Sequence, residues 1–441
     1  MLIFWQECKH ILRSKFFWGV TALGMMVALF MCFKMGFFSE GYDVCYDFTE
    51  KNGTSFTEKD ALNYVEYLLE HTDEGQTLQD NLKKIGLEET TAKELLTYYK
   101  GEETELEKNL EQFGMEAQTE EDQRIYSHVI FSVEDFTGPF LMVEKYSFST
   151  SEEKDSQREE MLQFFKKSFP QWKFELLQRG YEDLDKRAAE IAKTGENQYF
   201  LPFPVYMSAS YSWFDHQFSR QTMAGFLWAF TFVLAGVAAA RSLGGSLMGN
   251  MQGMVYTGQK GRKLVLYKLL AVLAVTGGTY VVFYLLSTIV NLFLFRLDLY
   301  WNVPLAALSD WNGPVVPRIS LTIGGYWWFQ LGVGLAAVLI MALIFSAAMA
   351  LTKNFYAGSA ISVGVSLLLY GLIQMVPGMQ DSMLLMGSPI GLFLNAGTFL
   401  QERFCKFYIL PHFEGLSLLL WGGVAAILAV LGFVRFRRTA L

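Results

Sequence analysis

The sequence predicts an α-helical integral membrane protein with six transmembrane helices, both termini in the cytosol, and an α-rich (α+β) extracellular domain inserted between helices 1 and 2. Of the 441 residues, 52% are apolar and 18% are charged, fewer charges than soluble proteins usually carry. The charges are also unevenly placed: residues 39–220 hold 19 Lys and Arg against 38 Asp and Glu, while the remainder is net basic. An acidic block is therefore set inside a hydrophobic, mildly basic chain.

Six apolar stretches meet the length that a membrane-spanning helix needs. A hydrocarbon core about 30 Å thick is crossed by about 20 helical residues, because peptide groups in lipid must bond within their own helix. The first stretch is interpreted as an uncleaved anchor, since its apolar run is long for a signal peptide and no small-residue cleavage site follows it. The stretches are Phe16–Phe38, Met223–Ala240, Leu269–Phe295, Tyr326–Leu351, Ala357–Val376 and Gly415–Val434.

Basic residues outside these spans predict the orientation, because lysine and arginine in short loops stay on the cytosolic side. They gather before span 1, between spans 2 and 3, between spans 4 and 5, and after span 6, whereas the opposite loops balance their charges. We therefore expect a multi-pass protein of a bacterial cell membrane with residues 39–220 outside. The basic residues are Lys9, Arg13, Lys15, Arg241, Lys260, Arg262, Lys263, Lys268, Lys353, Arg435, Arg437 and Arg438.

Two further segments complete the predicted organisation. Residues 1–15 alternate apolar and polar side chains and are predicted to form an amphipathic cytosolic surface helix; the alternative is the frayed start of the first helix, 16–38. Residues 221–441 hold helices 2–6 with a cytosolic loop at 241–268. Within them, the nearly apolar segment 383–400 is predicted to be re-entrant on the outer side. Ser388–Pro389 interrupts it, and a seventh span would place the basic C-terminal tail outside.

The acidic block is predicted to fold as one domain. Thr57 followed by Asp60 indicates a helix start, and helical periodicity recurs at Leu95–Phe113, Glu152–Phe169 and Phe174–Ala192. The stretch Ile125–Phe148 is rich in Val, Phe and Tyr and predicts two short strands. The acidic surface either attracts cationic peptides or is a solvated helical surface. A disulfide between Cys45 and Cys405 is left open.

The motifs of several enzyme classes are missing from the sequence. The run from Gly258 to Lys263 lacks the spacing and the hydroxyl of a phosphate-binding loop, so the chain alone is not expected to hydrolyse ATP. No G-x-S-x-G or H-E-x-x-H motif occurs, and the five histidines are scattered. We therefore assign no catalytic, cofactor-binding or metal-ligating residue. The six spans also hold no acidic residue, which argues against an ion-coupled carrier.

A few polar and glycine positions in or beside the spans remain to be explained. The polar side chains are interpreted as interhelical hydrogen-bonding groups, with substrate contact as the alternative. The glycines are interpreted as sites of close helix packing. The polar residues are Asn291, Gln330, Gln374 and Glu414, and the glycines are Gly277, Gly278, Gly332, Gly334, Gly422 and Gly423.

The cytosolic loop 241–268 is the most specific region and reads RSLGGSLMGNMQGMVYTGQKGRKLVLYK. Its glycines recur every four residues, and it ends in a basic turn and a lysine. With the surface helix, the domain after span 1 and the re-entrant segment, this loop resembles the type-2 ABC exporter permeases. The matching positions are Gly253, Met254–Thr257, Arg262–Lys263 and Lys268. Asn250–Gln252 and Gly258–Gly261 depart from the acid and the proline that the family often has there.

The resemblance implies that this chain and a separate ATPase subunit act together in transport. A separate ABC ATPase would dock under the loop, where Gly253, Tyr256, Arg262, Lys263 and Lys268 would couple the two subunits. The chain itself would be a non-catalytic permease subunit that pairs with a second permease, identical or different. It would contact membrane lipid but not nucleic acid and would need no cofactor. The substrate would be hydrophobic or amphipathic, such as a peptide, lipid or drug. The alternative is a membrane sensor or assembly scaffold that signals through its extracellular domain.

Overall fold

The residues that the computed structural model describes are mostly helical, with one pair of two-residue strands among them. The described residues are 2–37, 43–87, 90–102, 104–116, 119–145, 162–164, 166–167, 170–196, 198–199, 220–244, 261–294, 296–307, 309–310, 313–314, 317–352, 357–358, 360–361, 364–368, 387–394 and 412–438.

Two helices open the chain. Helix α1 (Leu2–Leu12) is amphipathic, and α2 (Lys15–Phe37) is apolar on all sides. The chain turns sharply between them, where the indole Nε1 of Trp18 donates to the carbonyl oxygen of Leu12 at 2.5 Å. Ser14 begins α2 by accepting from the backbone N–H of Phe17 at 3.3 Å, which satisfies one of the free amides of the first turn.

The acidic block, here called the polar domain (residues 43–199 as described), is built from seven helices. The first six pack short amphipathic stripes against a common apolar core that includes Phe56, Leu78, Leu82 and Leu95, each at most 2% exposed. The helices are α3 (Asp43–Asn52), α4 (Glu58–His71), α5 (Asp73–Lys84), α6 (Ala92–Tyr99), α7 (Glu105–Glu116), α8 (Glu120–Lys145) and α9 (Gln171–Thr194).

Threonine caps define several of these helices. The predicted start at Thr57 is confirmed: its hydroxyl accepts from the Asp60 N–H, and the Asp60 carboxylate accepts from the Thr57 N–H at 2.8 Å. The stretch predicted as one helix from Leu95 to Phe113 is two helices. Gly101 ends α6 with a left-handed φ of +71°, a conformation that glycine adopts at no steric cost.

The predicted strands at Ile125–Phe148 are wrong, because residues 120–145 form the single helix α8. Its buried side chains Val129, Val133, Phe136 and Phe140 recur every three or four residues and line one helical stripe toward the domain core. β-Branched and aromatic residues favour strands only weakly, so the helical spacing of the buried positions decides the structure here.

The second half of the chain forms a helical bundle. Helix α10 (Arg220–Ala239) continues into a π-helical turn at Ala240–Gly244. Helix α11 (Gly261–Leu294) follows. After a loop come α13 (Ile323–Thr352), the short α14 (Pro389–Leu394) and α15 (Phe413–Arg438).

Three helices in the described part of the chain are long and apolar enough to cross a membrane, which indicates a membrane protein: Leu264–Val290, Ile323–Thr352 and Phe413–Arg435. Exposed apolar side chains on the bundle agree with this, since Phe30 is 67% and Leu419 is 75% exposed. The described parts of α2 and α10 add shorter apolar helices. The count of six spans and the extracellular placement of the polar domain remain predictions.

The loop between α11 and α13 is ordered by short elements. It contains α12 (Leu297–Tyr300), a 3-10 turn at Leu305–Ala307 and the antiparallel strands β1 (Ser309–Asp310) and β2 (Gly313–Pro314), with Ser309 opposite Pro314. Tyr300 and Leu305 are fully buried against the bundle, so this loop is part of its core.

Glycines bring bundle helices together at fewer places than the sequence suggests. A Cβ on Gly277 would lie 3.1 Å from Leu339, so this glycine lets α11 approach α13 closely. A Cβ on Gly278, Gly332 or Gly423 would meet nothing within 4 Å, and one on Gly422 only Ile340 at 3.9 Å. Comparably close contacts also lie at positions that the sequence does not single out: Gly24, Gly324, Gly358 and Gly432.

The predicted re-entrant segment 383–400 is described only at residues 387–394. There the six-residue helix α14 is buried, with Ile390 and Leu392 fully covered. The Ser388 hydroxyl accepts from the Gly391 N–H at 3.1 Å and so caps the first turn. Whether the segment is re-entrant remains a prediction.

Candidate functional site

Three polar side chains meet where α1, the π-helical turn and α11 come together; we call Glu7, Ser242 and Lys268 the lysine cluster. The ammonium of Lys268 donates to the carbonyl oxygen of Ser242 at 2.6 Å. The Glu7 carboxylate lies 3.9 Å from the same ammonium and accepts from the Ser242 hydroxyl at 3.4 Å. Their surroundings exclude most solvent, since the Lys268 and Glu7 side chains are 10% and 16% exposed.

Ser242 and Lys268 of the lysine cluster lie near the ends of their helices. The π-helical turn closes the helix that begins at Arg220, and the last carbonyls of a helix have no amide partner within it. Lys268 projects from the second turn of α11 and supplies a donor to one of these carbonyls. A cation at a helix C-terminus is also favoured by the helix dipole. The arrangement therefore ties α10 to α11 across the residues that connect them.

Helix α1 joins the lysine cluster through Glu7 and packs beside it. Cys8 and Ile11 are 5% and 0% exposed and belong to the core of the bundle. Burial, and then the adjacent Glu7 carboxylate, raises the pKa of the Cys8 thiol. The opposite side of α1 carries exposed Trp5, Lys9 and Arg13. This amphipathic helix is thus held to the bundle by both apolar and charged contacts.

The structure describes three of the five residues that the sequence predicts to couple to an ATPase. Lys268 is part of the buried lysine cluster. Arg262 and Lys263 lie in the first turn of α11, which begins at Gly261, so all three basic residues belong to this helix rather than to the loop before it. Gly253 and Tyr256 lie outside the described residues. Coupling to an ATPase remains a prediction for all five.

Two members of the lysine cluster were missed by the sequence reasoning. Glu7 carried a usable signal: it is the only acid in residues 1–38, on a helix that is otherwise basic. Ser242 carried no signal, because its backbone carbonyl makes the short contact and every residue has one.

A second polar site joins the polar domain to the bundle; we call it the domain contact. Arg187 of α9 is 8% exposed and donates from Nε to the carbonyl oxygen of Pro317 at 3.2 Å. It pairs with the carboxylates of Glu196 and Glu190, and Glu196 also accepts from the Ser320 hydroxyl at 3.2 Å. Burial alone would lower the pKa of the Arg187 guanidinium, but the hydrogen bonds to Glu196 and Glu190 outweigh it and raise that pKa.

Helix α3 also makes polar contacts with the same loop. The buried hydroxyl of Tyr300 donates to the Thr49 hydroxyl at 2.8 Å. Arg296 lies 3.4 Å from Glu50, but both side chains are largely exposed, so this pair contributes little. The loop 296–322 is therefore the part of the bundle that the polar domain touches through both α3 and α9.

The structure describes the side chains of two of the four residues that the sequence predicts to form hydrogen bonds between helices. Gln330 is 4% exposed and accepts through Oε1 from the Tyr284 hydroxyl at 3.4 Å, so it bridges α11 and α13. Glu414 is buried in the first turn of α15. The side chains of Asn291 and Gln374 lie outside those described, as do those of Cys45 and Cys405.

Within the described residues no group of three or more His, Cys, Asp or Glu side chains could hold a metal ion. Comparison with protein-family models, with curated proteins and with solved structures gives no match for this chain. The lysine cluster and the domain contact are thus the two sites from which function must be argued.

Proposed function

We propose that this chain is the permease subunit of an ATP-driven ABC exporter, which moves a hydrophobic or amphipathic substrate across a bacterial cell membrane. The single observation that supports this most is the lysine cluster. It joins the N-terminal helix, the end of α10 and the start of α11, the three elements that flank the predicted ATPase-docking loop.

This geometry suits the transmission of force. A push on the residues between Gly244 and Gly261 would act on two helix ends that Lys268 already holds together. Since α11 spans the bundle as one helix to Leu294, displacement of its first turn moves its far end as well. Rigid-body motion of packed helices is a common way to switch a transporter between inward- and outward-open states. ATP hydrolysis would occur on the separate subunit.

The second candidate, a membrane sensor or assembly scaffold, is favoured by the domain contact. Arg187 and Tyr300 connect the polar domain to the loop that leads into α13, so a ligand that tilts the domain would pull on a bundle helix. The two candidates differ in whether ATP hydrolysis accompanies the chain.

The test is purification of the tagged chain from its native membrane in mild detergent, followed by an ATP hydrolysis assay and identification of the co-purifying subunit by peptide mass spectrometry. We expect a subunit with a phosphate-binding loop and measurable ATP hydrolysis. The double variant R262E/K263E should lose both, because it reverses the charge of the first turn of α11 next to the docking loop.

The matched control is K83E/K84E, which makes the same change of net charge at two exposed lysines of the polar domain and should retain the ATPase. Loss of the ATPase in both variants would point to a general effect of charge. Absence of any ATPase from the unaltered chain would favour the sensor or scaffold.

A further inference from the structure

An acidic side chain is buried inside the apolar bundle. Helix α15 begins at Phe413, just before the predicted span start at Gly415, so Glu414 lies in the first turn of a helix that is long and apolar enough to cross a membrane. Glu414 is 8% exposed. Its Oε1 atom is shielded from solvent and accepts no hydrogen bond from the part of the chain that the structure describes. An ionisable group in such a helix indicates a functional site.

The packing of α15 on α13 places Glu414 away from the rim of the bundle. The two helices run in the same direction, because Gly422 lies beside Ile340 and Gly432 lies beside Ala350. The same register places Glu414 about 14 Å along α13 from the first residue of that helix. Glu414 therefore lies level with the packed part of α13 rather than with its first turn.

Two positive side chains among the described residues act on the Glu414 carboxyl. They are Arg318, in the loop that precedes α13, and His412, which is exposed just before α15. Neither donates a hydrogen bond to Oε1. Helices α13 and α14, which pack against α15, contain no acid, base or histidine, and the other charges of α15 begin at Arg435, near its opposite end. The carboxyl thus has positive neighbours but no donor for this oxygen.

A proton is the ligand that suits this carboxyl best. A metal ion needs several ligands, and the described residues contain no group of three or more His, Cys, Asp or Glu that could hold one. A larger cationic ligand needs an open approach, which the burial of Glu414 does not provide. An ionised carboxylate that is kept from water needs donors or a close cation, and without them the neutral acid is the more stable form.

The charge of Glu414 bears on the contact between the bundle and the polar domain. Arg318 directly follows Pro317, whose carbonyl accepts from Arg187 of the polar domain. The same segment contains Ser320, whose hydroxyl donates to another side chain of the domain contact. An ionised Glu414 attracts Arg318 toward α15, whereas a neutral Glu414 leaves this segment in the position that the structure shows.

We infer that Glu414 is a proton-binding site of the bundle, neutral in this structure, and that release of its proton draws Arg318 toward α15 and loosens the domain contact. The proton passes to water beside the exposed His412. A rise in pH on this side of the molecule is thereby transmitted to the polar domain. This inference goes beyond the proposed function, since it holds for an exporter and for a scaffold alike.

The first measurement is the infrared spectrum of the full chain in lipid vesicles. A neutral carboxylic acid has a carbonyl-stretch band that an ionised carboxylate lacks, and exposed Asp and Glu are ionised at about pH 6. We expect such a band at about pH 6 in the unaltered chain and its loss at about pH 9. E414Q should lack the band, whereas E70Q, the same change at a largely exposed glutamate of the polar domain, should keep it.

The second measurement is hydrogen exchange of the Leu305 amide, which donates to the carbonyl oxygen of Leu321 across the loop 296–322 at 2.7 Å. After correction for the effect of pH on chemical exchange, we expect this amide to exchange about threefold faster at about pH 9 than at about pH 6, because the shift of the loop weakens its local structure. E414Q should remove the difference, since glutamine keeps the shape and neutrality of the protonated side chain. E70Q should retain it.

Either measurement can overturn the inference. If E414Q has the same neutral-acid band as the unaltered chain at about pH 6, Glu414 is ionised in this structure and has no proton to release. If Leu305 exchange in the unaltered chain is equal at the two pH values, or if E414Q keeps the difference, the charge of Glu414 does not act on the domain contact.

Discussion

Lys268 illustrates how a charge can be kept inside the end of a helical bundle. Removing an ammonium from water costs several kcal/mol, and only close partners offset that cost. Here the Ser242 carbonyl, in the π-helical turn that follows α10, accepts from the ammonium at 2.6 Å. Glu7 supplies the opposite charge from α1. Lys268 contacts both of the other groups, so its loss takes the donor from the Ser242 carbonyl and the cation from Glu7.

K268M should therefore release α1 from the bundle. Methionine fills a similar volume but carries no charge and donates no hydrogen bond, which leaves the mostly buried Glu7 carboxylate without its cation. Breaking a buried ion pair costs about 3–5 kcal/mol, and each 1.4 kcal/mol is a factor of ten in a population. We expect Cys8, which is buried and has a raised pKa, to react with N-ethylmaleimide at least about tenfold faster at mildly alkaline pH.

The measurement needs a background in which Cys32, Cys45 and Cys405 are serine, so that alkylation reports Cys8 alone. K9M is the matched control, because Lys9 is exposed on the same helix and its loss should leave Cys8 protected. Unchanged Cys8 reactivity in K268M would show that apolar packing alone holds α1.

At the scale of the element, Arg187 joins α9 to the bundle. Arg187 is its buried anchor: the guanidinium has five donors in a planar fork and here contacts a backbone carbonyl and two carboxylates at once. The exposed pair Arg296–Glu50 joins α3 to the same loop but remains in solvent. The domain contact therefore contains a strong and a weak ion pair side by side.

R187M should destabilise the protein far more than R296M, although both remove one positive charge. In R187M the Glu196 carboxylate, 15% exposed, loses its cation, and we expect a cost of about 3–5 kcal/mol. In R296M the expected cost is about 0–1 kcal/mol, since Glu50 is 58% exposed and solvated. Thermal unfolding in detergent measures the difference.

R187K provides an internal check on the mechanism. It keeps the charge but replaces the planar fork with a single ammonium, so its unfolding midpoint should lie between those of the unaltered chain and R187M. Equal midpoints for R187M and R296M would contradict the anchoring role of Arg187.

How well the sequence predicts these elements depends on how far apart along the chain the interacting residues lie. Local signals work well: the Thr57–Asp60 pair predicts the start of α4, and α9 lies where the periodicity of Phe174–Ala192 places it. Residue-type propensity fails at α8, because the side chains that suggest strands are spaced as a helical stripe. Contacts between distant segments, such as that of Glu7 with Lys268, are hard to predict from the sequence because no local rule pairs the two residues.

At the scale of the whole molecule, the two halves of the chain differ in where their apolar side chains lie. The polar domain buries an apolar core beneath an acidic surface, as soluble domains do, whereas the bundle exposes large apolar side chains such as Leu419 and Phe293. Polar contacts between the halves run through the loop 296–322 at one end of the bundle, and the lysine cluster lies at the other end of α11. The polar domain and the lysine cluster thus lie near opposite ends of α11, Gly261–Leu294.

This separation yields a prediction about topology. If α11 crosses the membrane once, the polar domain and the residues before Gly261 must lie on opposite sides. Single cysteines at Glu111, exposed on α7, and at Gln259 test this in a chain whose four native cysteines are serine. A membrane-impermeant maleimide added to sealed cells should label E111C but not Q259C, and permeabilised cells should show both. Because the positive-inside rule places the basic residues in the cytosol, labelling of Q259C alone in sealed cells would invert the orientation, and labelling of both would mean that α11 does not cross the membrane.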